Sequence, residues 1–261
     1  MKIVVCAKYV PDASGDRKFN SDYTVDRLAI DGLLSELDEY AVEEALTIKE
    51  SGDPEGTEVT VLTIGPEEAR AAILKSLQMG ADAGIHVLDE AIRGSDSVAT
   101  SLIMATALRR LEADLVLCGM ASTDGSMSVV PVMVAERLGL PQLTFASQVT
   151  IEGTTVRIQR DGDGETETIE ANMPLVLSVT DQANEPRYPS FKGIMAAKKK
   201  PVETLSLADL GISPEDVGPV AAWTRVESVE ERPPRAAGSI VADDGTGAEQ
   251  LVSFLAGQKF I

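Results

Sequence analysis

Two stretches of the chain carry residue types spaced for chemistry. The first, Gly119-Met120-Ala121-Ser122-Thr123-Asp124-Gly125-Ser126-Met127-Ser128, follows the apolar run Leu115 to Cys118 and leads through Val129, Val130 and Pro131 into an amphipathic segment. A loop from strand to helix presents free backbone N–H groups and the positive end of a helix dipole to an anion. Gly119 and Gly125 permit close backbone approach, and Ser122, Thr123, Ser126 and Ser128 add hydroxyl donors. That set suits a phosphate. It also suits an ordinary loop with Ser126 or Ser128 as helix cap, and the residues alone leave both readings open. Neither G-x-G-x-x-G nor G-x-x-x-x-G-K-[ST] is present, so the usual dinucleotide fingerprint and the P-loop are both missing.

The second stretch, Asn184 to Pro201, reverses the local sign of charge. It holds five cations, Arg187, Lys192, Lys198, Lys199 and Lys200, and between Pro186 and Val202 no acid, inside a chain of net charge −19. Pro189 and Gly193 bracket Ser190, Phe191 and Lys192, which presents an aromatic ring where the backbone bends. With Ser190 as cap, Phe191, Ile194 and Met195 fall on one face of a short helix, and the three lysines close it at the negative end of its dipole. Such a stripe more often faces its own core than a partner. The sharper reading, an exposed anchor with a cationic rim beside Tyr188, is a docking element for an acidic partner.

Other candidates reduce to structure. His86 is the only histidine and sits within a strand pattern without a triad around it. Gly94-Ser95-Asp96-Ser97 reads as a helix cap rather than a pyrophosphate loop. Asp161, Asp163 and Glu165 lack the glycine and the bidentate glutamate of a calcium loop, and a hairpin turn accounts for them. Glu43-Glu44 and Glu67-Glu68 are adjacent on helices and diverge, so they form no acid/base pair.

The elements that position these stretches alternate. Ile3–Ala7, Val59–Ile64, Ile85–Leu88, Leu115–Cys118 and Leu175–Val179 read as buried strands. An irregular polar insert, residues 8–35, separates the first strand from a helix that Asp38 opens and Gly52 ends. Further helices run from Pro66 to Gly80, from Ser95 or Asp96 past Arg110, and up to Gly139. Thr144–Ile151 and Thr155–Arg160, with turns at Glu152-Gly153 and residues 161–164, predict antiparallel hairpins. The expected fold is α/β: a doubly wound, mainly parallel sheet with hairpins at one edge. Residues 1–200 form its domain. Residues 201–261, with a short helix at Leu207–Leu210, a strand near Trp223–Val229 and a helix near Glu249–Leu255, form an arm that needs another surface.

Composition narrows the class. Aromatics are 4% of a chain that is 44% hydrophobic, so the core is built from Val, Leu, Ile and Ala. No apolar run reaches bilayer length, and Met1 leads directly into a strand; a cytoplasmic protein without membrane insertion is expected. Cys6 and Cys118 have no nearby cysteine or histidine, which excludes a zinc set and a disulfide framework. The acidic balance disfavours nucleic acid.

The Asn184-Glu-Pro-Arg-Tyr segment followed by Ile194-Met-Ala-Ala-Lys-Lys-Lys resembles the electron transfer flavoprotein beta subunit. So do Ala41-Val-Glu-Glu-Ala45, Met79-Gly-Ala-Asp82, Gly84-Ile-His-Val87 and Thr144-Phe-Ala-Ser-Gln-Val149. The resemblance implies a heterodimeric, non-catalytic electron carrier in fatty acid oxidation. Its FAD is held mostly by an alpha subunit, reduced by acyl-CoA or other dehydrogenases and reoxidised by a membrane quinone reductase. It further implies a structural AMP, with Cys6, Ala7, Ile64 and Gly65 around adenine, Ser35, Glu36, Leu37 and Asp38 near ribose, and Met120 to Pro131 around phosphate. Where many members have a Gln-Thr-Gly-like step after the aspartate, this chain has Gly125-Ser126-Met127-Ser128, whose hydroxyls replace amide donors. Phe191 stands where relatives carry a leucine that enters a dehydrogenase. Some members hold a second FAD in place of AMP. A stand-alone adenine-nucleotide sensor, similar to universal stress proteins, and an ATP-cleaving enzyme are the alternatives.

Overall fold

Strand β1 (Lys2–Cys6) is buried from both sides because its residues alternate between two cores. Ile3 and Val5 join one, Val4 and Cys6 the other. The computed structural model describes residues 1–27, 29–230, 233–235, 237, 238 and 240–261. Its further elements, in order, are β2 (Tyr9–Pro11), β3 (Gly32–Leu34), α1 (Glu36–Ser51), β4 (Glu58–Ile64), α2 (Arg70–Met79), β5 (Ala83–Val87), α3 (Ser97–Leu111) and β6 (Leu115–Gly119). There follow α4 (Val130–Leu138), β7 (Gln142–Ala146), β8 (Gln148–Glu152), β9 (Thr155–Asp161), β10 (Thr166–Asn172), β11 (Leu175–Val179), α5 (Phe191–Ala197), β12 (Val202–Leu205), α6 (Gly218–Ala221) and α7 (Gly247–Gly257).

Seven strands pair in the order β12-β5-β4-β1-β6-β11-β7, every neighbour parallel. Ala41, Val42, Ala45 and Leu46 of α1, with Ala72, Ile73 and Leu77 of α2, cover one face. Ala99, Ile103 and Leu108 of α3 and Val134 and Ala135 of α4 cover the other. The expected doubly wound α/β sheet is therefore observed. The chain passes outward from β1 through β4 to β5, then returns to β6 on the opposite side of β1. Ligands of open parallel sheets lie outside the strand ends where the order reverses, which here is the crevice between the carboxyl ends of β1 and β6.

Local chemistry fixes the helix ends. The Asp96 carboxylate accepts from the Val98 and Ala99 N–H groups, each at 3.0 Å, and Arg109 and Arg110 occupy the last turn of α3. Gly139 ends α4 in the left-handed region at φ 67°.

Four sequence expectations need correction. Asp38 does not cap α1; it lies inside the helix, and Ser35 is the capping residue without a side-chain bond. Thr144–Ile151 is not one strand. Phe145 turns left-handed at φ 60° where the Ser178 hydroxyl accepts its N–H at 3.0 Å, so β7 ends in the parallel sheet and β8 starts a separate antiparallel sheet, β10-β9-β8. Leu207–Leu210 is a hydrogen-bonded turn held by Asp209 on Ser206, rather than a helix. Trp223–Val229 contains no strand, because the Asp96 carboxylate takes the Trp223 and Thr224 N–H groups.

The first compact unit runs from Met1 to Glu227. It includes β12, which extends the sheet beside β5, and Leu205, Leu207, Ile212 and Val217, which join the α3 side of the core. The boundary at residue 200 thus falls within the unit. Ser228–Ile261 is the second unit, whose one helix among the described residues, α7, exposes Leu251, Val252 and Phe254. No helix among the described residues is long and apolar enough to cross a membrane.

Candidate functional site

At the carboxyl ends of β1 and β6, one buried carboxylate ties the two strand exits together. Asp38, on the first turn of α1, accepts from the Lys8 N–H at 2.8 Å and from the Gly119 N–H at 3.3 Å. Only glycine fits at 119: a Cβ there would stand 2.6 Å from both Asp38 Oδ1 and the Leu37 carbonyl oxygen. Burial pushes the Asp38 carboxyl up to about 7, against the two backbone donors and the Lys8 charge, which act to lower it.

Ser35 begins α1 beside it, with its N–H on the Lys8 carbonyl at 2.9 Å. Its hydroxyl is fully buried and has no hydrogen-bond partner among the described residues. A buried hydroxyl without a protein partner is costly. Cys6 and Ala7 close the end of β1; the Cys6 thiol contacts the Cys118 thiol on the neighbouring strand, and that hydrogen bond together with burial raises the Cys118 pKa. Ile64 and Gly65 end β4, with the Gly65 carbonyl receiving the His86 Nε2–H at 3.1 Å. His86 Nδ1 is buried without a partner among the described residues. Glu36 is exposed on the outer side of α1, and Leu37 is half-buried.

The loop after β6 is braced from beneath. Asp124 has a buried side chain and accepts from Lys8 Nζ at 2.8 Å and from Arg27 Nη2 at 2.5 Å. Burial works to raise its pKa, but the Lys8 ammonium and bonds from Lys8, Ser122 and Arg27 outweigh that and hold the carboxyl well below the usual carboxylate range. Arg17 Nη2 donates to the Thr123 carbonyl at 2.5 Å. The insert between β1 and α1, folded as the β2–β3 hairpin, therefore straps the loop. Sequence reasoning misses Lys8, Arg17 and Arg27; the position of Lys8 directly after the first strand is the one available signal.

Ser126 and Ser128 take the left-handed region, at φ 53° and 58°. Beyond that turn the N–H groups of Met127, Ser128 and Val129 have no partner among the described residues, and α4 begins with Pro131 in its first turn and no side-chain cap. Neither serine caps it. Met120, Ala121, Ser122, Thr123, Asp124, Gly125, Ser126, Met127, Ser128, Val129, Val130 and Pro131 thus make the connection from β6 into α4, and Ala7, Ser35 and Asp38 lie buried at the end of β1 and the start of α1. Unpaired N–H groups at a helix start are suited to an anion such as a phosphate. No group of His, Cys, Asp and Glu among the described residues could hold a metal.

The cationic tract is built differently from its composition. The Arg187 side chain reaches back to α1, with Nε 2.8 Å from Glu43 Oε2 and Nη1 2.6 Å from Glu50 Oε1. Bonds to Glu50 and then Glu43 raise its pKa beyond its ordinary value. Asn184 donates to the Tyr40 carbonyl and to Glu44 Oε2, at 3.1 and 2.9 Å. Lys200 caps the end of α2 through the Leu77, Gly80 and Ala81 carbonyls. Arg187 and Lys200 are thus internal ties. Between them α5, capped by Ser190 on the Gly193 N–H at 3.1 Å, packs on α2 through Gly193 and the buried Ala197. A Cβ on Gly193 would sit 2.4 Å from the Gln78 carbonyl oxygen, so the helices touch at backbone distance. The apolar stripe faces outward. Tyr188 is 92% exposed and Phe191 81%, with Met195, Ile194, Lys192, Lys198 and Lys199 exposed around them.

Residues 22–210 match the family model described as the electron transfer flavoprotein domain. The chain is 47% identical to the electron transfer flavoprotein subunit beta of Mycobacterium tuberculosis, over 99% of both chains. It is 31% identical to the subunit of the same name from Megasphaera elsdenii, over the whole of both. It is also 34% identical to the caffeyl-CoA reductase-Etf complex subunit CarD of Acetobacterium woodii, over 98% of this chain and 96% of that one.

Proposed function

This chain belongs to the electron transfer flavoprotein family as a beta subunit, and we propose that it holds a structural AMP and meets the electron donor within a heterodimeric carrier. The reading is supported above all by the Met127, Ser128 and Val129 N–H groups, unpaired among the described residues at the start of α4 beside the switch point of the sheet. In this proposal Met127, Ser128 and Val129 donate backbone N–H groups to the phosphate, Ser35 meets the ribose, and Ile64, Gly65 and Ala7 border the adenine. Asp124, neutralised by Lys8 and Arg27, keeps the loop in shape rather than touching the anion.

The chain works as a carrier rather than a catalyst. FAD, held mostly by the alpha subunit, supplies the one- and two-electron chemistry. This subunit contributes a wall of the flavin cavity, and Ser228–Ile261 lays the exposed Leu251, Val252 and Phe254 on the alpha subunit. Phe191, rimmed by Lys192, Lys198 and Lys199, docks acyl-CoA or related dehydrogenases of fatty acid oxidation. Electrons leave to a membrane quinone reductase, and the setting is cytoplasmic.

The likeness to a caffeyl-CoA reductase-Etf complex subunit favours one second reading, a second FAD in place of AMP. Denaturing the purified heterodimer and weighing the released nucleotides decides between them. AMP beside one FAD per heterodimer supports the proposal; two FAD support the second reading. ATP, or no nucleotide besides one FAD, overturns both.

A further inference from the structure

A cavity of about 290 Å³ opens between α2 and α5, where the end of α5 leans on the middle of α2. Ile73, Leu77 and Val202 form its floor, and Leu74 lines it while remaining 43% exposed. Arg70 and Lys198 stand on its rim, both exposed and neither in an ion pair among the described residues. Lys200 also lines it, but its ammonium is spent on the α2 carbonyls, which fixes the wall. Among the described residues no acid lines the cavity, although the chain carries 42 acids against 23 lysines and arginines.

An apolar hollow with an unpaired cationic rim, on a surface that is otherwise strongly acidic, selects its occupant by charge. Acidic proteins are repelled by the rest of the surface and drawn to this part of it. A free carboxylic acid would find the same cations. Yet a small anion gains little from a hollow whose polar groups are two solvated side chains, whereas a protein segment brings many contacts to the groove and to α5 together.

We propose that this groove receives an acidic segment of the electron-donating protein, an apolar side chain entering beside Leu74 and carboxylates meeting Arg70 and Lys198. The inference rests on the reading of α5 as the docking helix, and extends the contact from an anchor that enters the donor to a hollow that accepts one from it. Because α5 is itself one wall, a donor seated on α5 covers the groove without further movement of either helix.

The test uses the flavin-loaded heterodimer and an acyl-CoA dehydrogenase reduced by its acyl-CoA, chosen for saturable electron transfer to the unaltered carrier. Leu74→Asp and Arg70→Glu are read against Phe191→Ala, with flavin content and hydrogen exchange of residues 70–77 followed in each. Both groove variants should raise KM for the carrier about fivefold or more, leave kcat and flavin content unchanged, and flatten the salt dependence. In the unaltered carrier, residues 70–77 should exchange more slowly when the dehydrogenase is added. If Phe191→Ala raises KM while both groove variants and the exchange of residues 70–77 stay unchanged, the groove is overturned and docking through α5 stands. If all three variants transfer electrons as the parent does, the docking reading falls and the groove with it.

Discussion

Replacing Asp38 by asparagine should make stability depend less on pH, and the size of the change follows from the burial of this carboxylate. Its folded pKa, pushed up to about 7, lies above the ordinary value of 3.8, so the folded chain keeps a proton that the unfolded chain releases. The resulting stabilisation is complete below the unfolded value and is lost as pH rises through the folded one. At 1.36 kcal/mol per pKa unit, the loss between about pH 5 and about pH 8 comes to roughly 2–3 kcal/mol. The introduced asparagine cannot ionise. Its carbonyl keeps the Lys8 N–H, whereas its amide nitrogen faces the Gly119 N–H, at a cost of about 1 kcal/mol. The variant should therefore match the parent within about 1 kcal/mol near pH 5 and exceed it by roughly 2–3 kcal/mol near pH 8. Urea titrations of both proteins, followed by far-UV circular dichroism and subtracted at each pH, remove every titration except that of residue 38. A difference that stays flat across this range would mean that Asp38 is ionised throughout, and the argument from its burial would fail.

Three further outcomes follow from single contacts. Gly193→Ala puts a Cβ 2.4 Å from the Gln78 carbonyl oxygen, so α5 must lift from α2; a destabilisation of about 1–3 kcal/mol is expected in thermal unfolding, with faster proteolysis near residue 193. Arg187→Ala leaves Glu43, only 10% exposed, without its cation, and should cost about 2 kcal/mol or more, while Arg187→Lys recovers only part because one ammonium cannot serve Glu43 and Glu50 side by side. Trp223 is the chain's single tryptophan and is 85% exposed. If the alpha subunit covers it, its emission shifts to the blue and quenching by acrylamide falls when the heterodimer forms; unchanged emission would place Trp223 outside that interface.

The sheet was legible because both its faces are buried, which leaves strands as short apolar runs between glycine and proline signals. Its edges were less so. Thr144–Ile151 alternates like one strand, and nothing local announces that the Ser178 hydroxyl, 33 positions away, takes the Phe145 N–H and splits it in two. The loop from β6 to α4 was readable from Gly119 and the hydroxyls that follow it. Its braces were not: Arg17 and Arg27 lie in an insert without periodicity, about a hundred positions from the backbone and carboxylate they hold. Asp38 looked like a cap because an aspartate ahead of an apolar helix face usually is one. Its real partners, Lys8 and Gly119, come from two different strand exits, and only the crossover between them brings the three together.

Charge counting misled in a more instructive way. Five cations in a short tract read as one basic patch, yet Arg187 and Lys200 face inward and hold the two ends of the segment, one on α1 and the other on α2. With both ends fixed and Gly193 seated on the backbone of α2, α5 has little freedom to fold its apolar stripe inward. Phe191, Ile194 and Met195 stay in water because the geometry that would hide them is already taken by smaller residues, Gly193 and Ala197. An anchor held in place before contact loses less entropy on binding than one on a free loop. If α5 docks the electron donor as proposed, loosening either tie should weaken that contact even with Phe191 and the three exposed lysines untouched, and Arg187→Ala is the variant that separates rigidity from charge. It removes a cation already paired with Glu43 and Glu50, so a rise in KM that persists at high salt points to lost rigidity. A rise abolished by salt would mean that Arg187 acts through its charge after all.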